Sequence, residues 1–210
     1  SWKFDNLAKY AKGQLINYTI TEDVVKDYTS DVSGYNVTNT YTPGKTSVPV
    51  EKVWNDKEDQ DGKRPGSVTV KLLADKVDTG KTLELNSTNQ WKGSFEDLDE
   101  YKGGKKIEYT LEEVTVPGYT TSITKSSNGY VVTNSHTPET TEVSGKKTWN
   151  DKEDQDGKRP KEITINLYAD GVKKDSKKVT ASENWSWKFD NLAKYAKGQL
   201  INYTITEDVV

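Results

Sequence analysis

The 210-residue chain has no cysteine, no methionine and a single histidine. Without cysteine there is no disulfide staple, and with one histidine and no thiol, catalytic triads and zinc sites are excluded. No apolar run approaches the length of a membrane span, and nothing at the start resembles a signal peptide. The net charge of −3 comes from interspersed charges of both signs, which leaves no basic footprint for nucleic acid or an anionic membrane. Hydrophobic residues are also scarce, 31% against 30% charged, so any module here has a thin core. Small modules of that kind need a staple, and with disulfides excluded a metal or another cross-link remains. The first residue is not methionine and falls in the middle of a pattern, so the chain reads as a piece of something longer.

What the sequence does contain is repetition. Residues 1–25, SWKFDNLAKYAKGQLINYTITEDVV, recur unchanged at 186–210, and WNDKEDQDGKRP occurs at 54–65 and again at 149–160. The two offsets, 185 and 95, describe a pair of related modules. Residues 1–43 read as the C-terminal part of one module, 44–139 as a complete module, and 140–210 as the N-terminal part of a further module of the same type as 1–43. In the complete module, strands are expected at 48–54, 68–72 and 82–85, from Trp91 to a break at Asp97–Glu100, and at 107–113, 119–123 and 130–134. Turn signals such as Pro117-Gly118 and Asn128-Gly129 separate the later ones. About seven short strands with no helical period indicate a β-sandwich. Leu7–Lys12, which could make one helical turn, is read as loop.

In three of these strands a polar residue falls in phase with the core. Val48, Val50, Lys52 and Trp54 share one face; Ile107, Tyr109 and Leu111 lead to Glu113; Tyr130 and Val132 lead to Asn134. The phase returns in the partial modules, as Glu22 and Asn39 in the first and Lys147 and Glu207 in the third. A buried Lys–Glu pair with an amide partner, or strand ends that snorkel to water, would account for one copy. Recurrence in two module types favours chemistry. Desolvation pushes a buried lysine towards the neutral, nucleophilic amine and a buried carboxyl towards the acid. The acid can polarise the asparagine carbonyl and relay protons as ammonia leaves, and the product is an amide between Lys Nζ and Asn Cγ.

The motifs Lys-x-Trp-Asn-Asp, Gln-Asp-Gly-Lys-Arg-Pro, Tyr-Thr-x-x-Glu and Val-Thr-Asn close to Thr-Pro resemble the Cna-B family, the B-type repeats of the staphylococcal collagen adhesin and related Gram-positive surface proteins. The resemblance covers essentially the whole chain. It implies an all-β fold of tandem inverse-immunoglobulin, prealbumin-like sandwiches, with an isopeptide bond from the first strand to the last. Lys52 and Asn134 match the bond-forming positions and Glu113 the catalytic one; Glu22, Asn39, Lys147 and Glu207 match them in the partial modules.

The implied function is that of stalk repeats in a cell-wall-anchored, extracellular bacterial adhesin. A ligand-binding module that contacts matrix protein or glycan is the alternative, and a calcium-stiffened spacer a third. Apart from the single-turnover bond formation no enzyme activity is expected, and no cofactor. The acidic loop 55–62 lacks EF-hand spacing and is read as solvated, with no metal. Trp54, Trp91, Trp149 and Trp185 are read as core, with Trp2 and Trp187 as candidates for exposed aromatics. Asn17, Asn36, Asn86 and Asn202 lie in glycosylation sequons. The expected partners are neighbouring repeats of the same chain, together with head-to-tail self-association of complementary end segments, against which the duplicated 25 residues weigh.

Overall fold

The computed structural model describes Ser1–Val210, and apart from a short 3-10 turn at Ala181–Glu183 its regular structure is all strand. Two units are distinguished: Ser1–Thr46 with Asp99–Lys106, and Ser47–Leu98 with Ile107–Val210. In the first unit, β1 (Tyr10–Ala11) pairs with β2 (Gln14–Leu15), and β3 (Thr29–Ser33) with β4 (Asn36–Thr40). Leu7–Lys12 thus runs into a hairpin. Its turn residues Lys12 and Gly13 have φ of 49° and 80°, the left-handed pair that a two-residue turn demands.

The chain continues through β5 (Lys45–Asn55), β6 (Ser67–Ala74), β7 (Val77–Asn86) and β8 (Lys92–Asp99). The short β9 (Tyr101–Lys102) and β10 (Lys105–Lys106) belong to the first unit; β11 (Tyr109–Glu113), β12 (Thr120–Ser126) and β13 (Gly129–Ser135) belong to the second. One sheet has the order β12-β13-β5-β8 and the other β11-β6-β7. Val48, Val50, Val68, Val70, Leu72, Leu85, Phe95, Leu98, Val116 and Val132 form a single core. The alternation Val68-Val70-Leu72 on β6 places every second side chain there, as a half-buried strand requires. β13 runs parallel to β5, with Val132 opposite Lys52 and Asn134 opposite Trp54. Gly129 opens β13 at φ 130°, and a Cβ there would collide with the Pro49 carbonyl, so the close approach of the two strands requires glycine. The break expected at Asp97 is instead a kink. Asp97 takes φ 57° and the strand carries on to Asp99, which turns Leu98 into the core.

A second set follows: β14 (Thr140–Lys146), β15 (Glu162–Ala169), β16 (Val172–Thr180), β17 (Ser186–Ala193), β18 (Tyr195–Ala196), β19 (Gln199–Leu200) and β20 (Tyr203–Glu207). β16-β15-β20 form one sheet and β14-β17 the other, around Ile163, Ile165, Leu167, Val179 and Phe189. Here β14 has no strand on the side where β5 has β13. The ladder that carries β5 to Asn55 is missing, and β14 stops at Lys146. Trp187 is not an exposed aromatic: it is half-buried, pairs with Gly145, and covers the space that a side chain at 145 would fill. In the central sandwich the counterpart of Trp187 is Gly93, and there Leu83 fills the space that a side chain at 93 would take.

The loop Asn55–Pro65 is not simply solvated, because Asp56 and Asp61 are buried. Asp61 Oδ2 accepts from Glu139 N (2.8 Å) and lies 2.8 Å from His136 Nε2. The Gln60 carbonyl accepts from Gly198 N at 3.1 Å, and Gly62 and Gly198 approach so closely that a side chain on either would clash. Between the two sets of strands, the Glu139 carboxylate takes both Lys63 Nζ and Lys194 Nζ at 2.9 Å.

Candidate functional site: a buried lysine, glutamate and asparagine

Lys52, Glu113 and Asn134 are the notable polar residues of the central core, 4%, 8% and 0% exposed. Each is set there by strand phase. On β5 the buried positions alternate as Val48, Val50 and Lys52; β11 ends on Glu113; on β13, Val132 and Asn134 are buried in succession. Two residues of register separate Lys52 and Asn134 on adjacent parallel strands, which makes them diagonal neighbours on one face. Glu113 comes from the opposite sheet, where it pairs with Val70.

The polar atoms are poorly satisfied. Lys52 Nζ lies 3.6 Å from Glu113 Oε1, an ion-pair distance too long for a good hydrogen bond, and donates to the carbonyls of Val53 (3.2 Å) and Val132 (3.4 Å). Glu113 Oε2 accepts from Thr121 Oγ1 at 2.6 Å, but Glu113 Oε1 and both side-chain atoms of Asn134 have no hydrogen-bond partner. A buried unsatisfied polar atom costs roughly 1–3 kcal/mol, so such a cluster persists only for a reason. Burial lowers the Lys52 pKa from 10.5 to about 8, against the opposing pull of Glu113. Roughly one molecule in ten therefore carries the neutral amine at pH 7, and it faces an amide and a carboxyl in a site closed to water. That arrangement suits nucleophilic attack on the amide carbon.

Two parts of the surroundings were not anticipated from the sequence. Thr121 orients the glutamate, and its inward phase on β12 was the available signal. The other is a polar cap over Trp54. Asp56 accepts from Arg64 Nε (3.0 Å), Arg64 Nη2 (2.6 Å), Asp59 N (3.0 Å) and Tyr119 OH (2.9 Å), and against the effect of burial these donors hold its carboxyl below the usual range. The Trp54 ring has Lys52 Nζ 4.2 Å and Arg64 Cζ 5.2 Å from its centroid, and meets Trp91 and Tyr119 edge-on. The repeated Asp-to-Arg spacing, seen again in Asp151 and Arg159, was the signal for the cap.

The partial sites are split. In the third segment Lys147 Nζ donates to both Glu207 oxygens, at 3.0 and 2.8 Å, with no asparagine beside them. In the first, Glu22 accepts from Asn39 Nδ2 (3.0 Å) and Ser30 Oγ (2.9 Å), with no lysine. Ser30 stands opposite Asn39 just as Thr121 stands opposite Asn134.

The chain matches the Cna protein B-type domain over residues 1–40, 48–135 and 143–210. It is 49% identical over 214 aligned residues to a collagen adhesin of Staphylococcus aureus; the match takes in the whole chain but only 18% of that protein. A crystal structure of two B repeat units of the collagen binding protein of S. aureus superposes with a TM-score of 0.77 at 48% identity, covering 99% of this chain and 56% of that one. With the family matched along nearly its whole length and the fold shared at that identity, the chain belongs to the Cna protein B-type domain family.

Proposed function

We propose that the chain is a run of structural stalk repeats from a cell-wall-anchored, extracellular adhesin, and that its complete module, residues 44–139, is stapled by a self-formed amide between Lys52 Nζ and Asn134 Cγ. The observation that carries this reading is the buried trio with its three orphaned polar atoms, Glu113 Oε1, Asn134 Oδ1 and Asn134 Nδ2. Left as an ion pair and a free amide, these groups only destabilise the core. Joined, the lysine loses its charge, and a low-polarity link replaces two costly groups. Glu113 holds and moves the proton: it takes one from the attacking amine and delivers it to the departing nitrogen, so that ammonia leaves and the carboxyl is regenerated. Folding supplies proximity, since the reactants reach each other only once β5 and β13 have paired.

The staple has a mechanical rationale. Load that enters along β5 and leaves along β13 would pass through the bond and bypass the 81 residues between Lys52 and Asn134. Relatedness to a collagen adhesin supports a surface location, and a spacer role suits repeats whose polar chemistry is sealed inside. Intact mass is the test. The expected value is that of the sequence less one ammonia, with the deficit absent in Lys52→Ala; an undiminished mass for the parent chain would overturn the reading.

A further inference from the structure

Two cations share one indole in the central module. Lys52 Nζ stands 4.2 Å and Arg64 Cζ 5.2 Å from the Trp54 ring centroid, and Trp54 Nε1 has no hydrogen-bond partner, so no polar bond accounts for where the ring sits. Arg64 is fixed there by Asp56, which takes its Nε at 3.0 Å and its Nη2 at 2.6 Å. The arrangement returns at Trp149, with Lys147 Nζ at 4.6 Å, Arg159 Cζ at 5.5 Å, and Arg159 bonded to Asp151.

A ring that accepts two cations attracts each less strongly, and the cations repel one another. Arginine keeps its proton at any working pH, and its bonds to Asp56 raise the Arg64 pKa further. Lysine can yield instead, by becoming the free amine. The charged groups that reach Lys52 are Glu113, from β11, and Arg64 and Asp56, from the loop that follows β5; the titratable Tyr119 hydroxyl is bonded to Asp56. Desolvation is the largest influence on the Lys52 proton, and Glu113 opposes it. Of the loop groups, Arg64 favours the free amine and Asp56 the ammonium, with Arg64 the larger of the two.

We propose that Arg64 is a positioning residue for amide formation at Lys52: seated on Trp54 by Asp56, it presses the neighbouring lysine towards the free amine, and the Asp56–Arg64 pair thereby sets the pH range in which the module staples itself. The inference rests on the reading of Lys52, Glu113 and Asn134 as the bond-forming trio. The bonds made and broken are those of that reading: Lys52 Nζ to Asn134 Cγ forms, Asn134 Cγ–Nδ2 breaks, and one ammonia leaves. Arg64 and Asp56 exchange no proton in it; they act only on how much of the nucleophile is present.

The test follows ammonia loss by intact mass as the whole 210-residue chain, isolated unlinked in denaturant, refolds at a series of pH values from about 6 to about 9. In Arg64→Gln the rate at pH 7 should fall about threefold and the pH at which it levels off should rise, with the parental rate regained near the top of the range. Asp56→Asn keeps an acceptor for Arg64 but removes the compensating charge. Its profile should move the other way, with a faster rate at the acid end and an unchanged plateau. A cap that serves only packing cannot give opposite displacements, because its loss slows both variants alike at every pH. Profiles that coincide with the parent's, that move together in one direction, or that stay slow at the top of the range overturn the inference and leave the Lys52–Asn134 bond standing. A parent chain that loses no ammonia at any pH sinks the reading of the trio, and this inference with it.

Discussion

A lysine whose pKa has been brought down to about 8 is mostly charged at pH 7, with roughly one molecule in ten carrying the free amine. Desolvation is the main cause and the Glu113 charge opposes it, so the nucleophile becomes available as pH rises. Bond formation should therefore accelerate about tenfold from pH 6 to pH 7 and level off above about pH 8. Refolding denatured, unlinked protein at each pH and following ammonia loss by mass spectrometry checks this; a rate independent of pH across that range would contradict nucleophilic attack by Lys52. Glu113 has a separate role. Glu113→Ala should fold but keep its full mass, because Lys52 and Asn134 remain while the proton carrier is lost. Without the staple the unfolded module regains the freedom of a long loop, worth about 4–5 kcal/mol by analogy with a disulfide, and its melting temperature should fall on the order of 20 °C. Calorimetry that finds the same melting temperature in parent and variant would contradict a stabilising bond.

At the scale of elements, the polar cap shows how the sequence both reveals and conceals structure. Alternation along β5, β6 and β13 made the inward faces legible, including the phase of Lys52 and Asn134, because a strand's side chains can only alternate. The kink at Asp97 was not legible: an aspartate before a leucine reads as a turn, and burial of Leu98 is what forces the strand onward. Nor was the inward turn of Asp56, since its partner Tyr119 is 63 positions away and the pairing exists only once β12 has docked. The parallel contact of β13 with β5 is similarly non-local, and turn residues carry no signal for it. A test of the cap is Tyr119→Phe, which keeps the ring against Trp54 but removes a donor from a buried carboxylate. It should cost about 1–3 kcal/mol in chemical denaturation while the bond still forms. A loss below a few tenths of a kcal/mol would mean that Arg64 and the Asp59 backbone N–H satisfy Asp56 without the tyrosine.

At the scale of the whole molecule, what matters is how force and orientation pass between sandwiches. Pulling on the chain should extend the central module little, because β5 and β13 are tied; Glu113→Ala should instead release the intervening 81 residues, about 28 nm of additional contour length, as a distinct unfolding event. Orientation depends on Glu139, which lies between Lys63 of one sandwich and Lys194 of the next. Hydrogen bonds from Lys194 and then Lys63 lower the Glu139 pKa from 4.5 to about 2. The sign follows from that depression: the contribution of the charged clasp is complete above the unfolded value and is lost as pH falls through about 2. Exposed ion pairs contribute little to global stability, so Glu139→Ala should leave both cores folded. Its effect should be local, on the backbone bonds from Gly198 N to the Gln60 carbonyl and from Lys194 N to the Glu139 carbonyl. Amide exchange at Gly198 and Lys194 should quicken in the variant at every pH from 4 to 7. In the parent, once corrected for intrinsic rates, their protection should hold steady from pH 7 to about pH 5 and begin to fall only below the unfolded value. Equal protection in the two proteins would show that the Gly62–Gly198 contact holds the joint without the clasp.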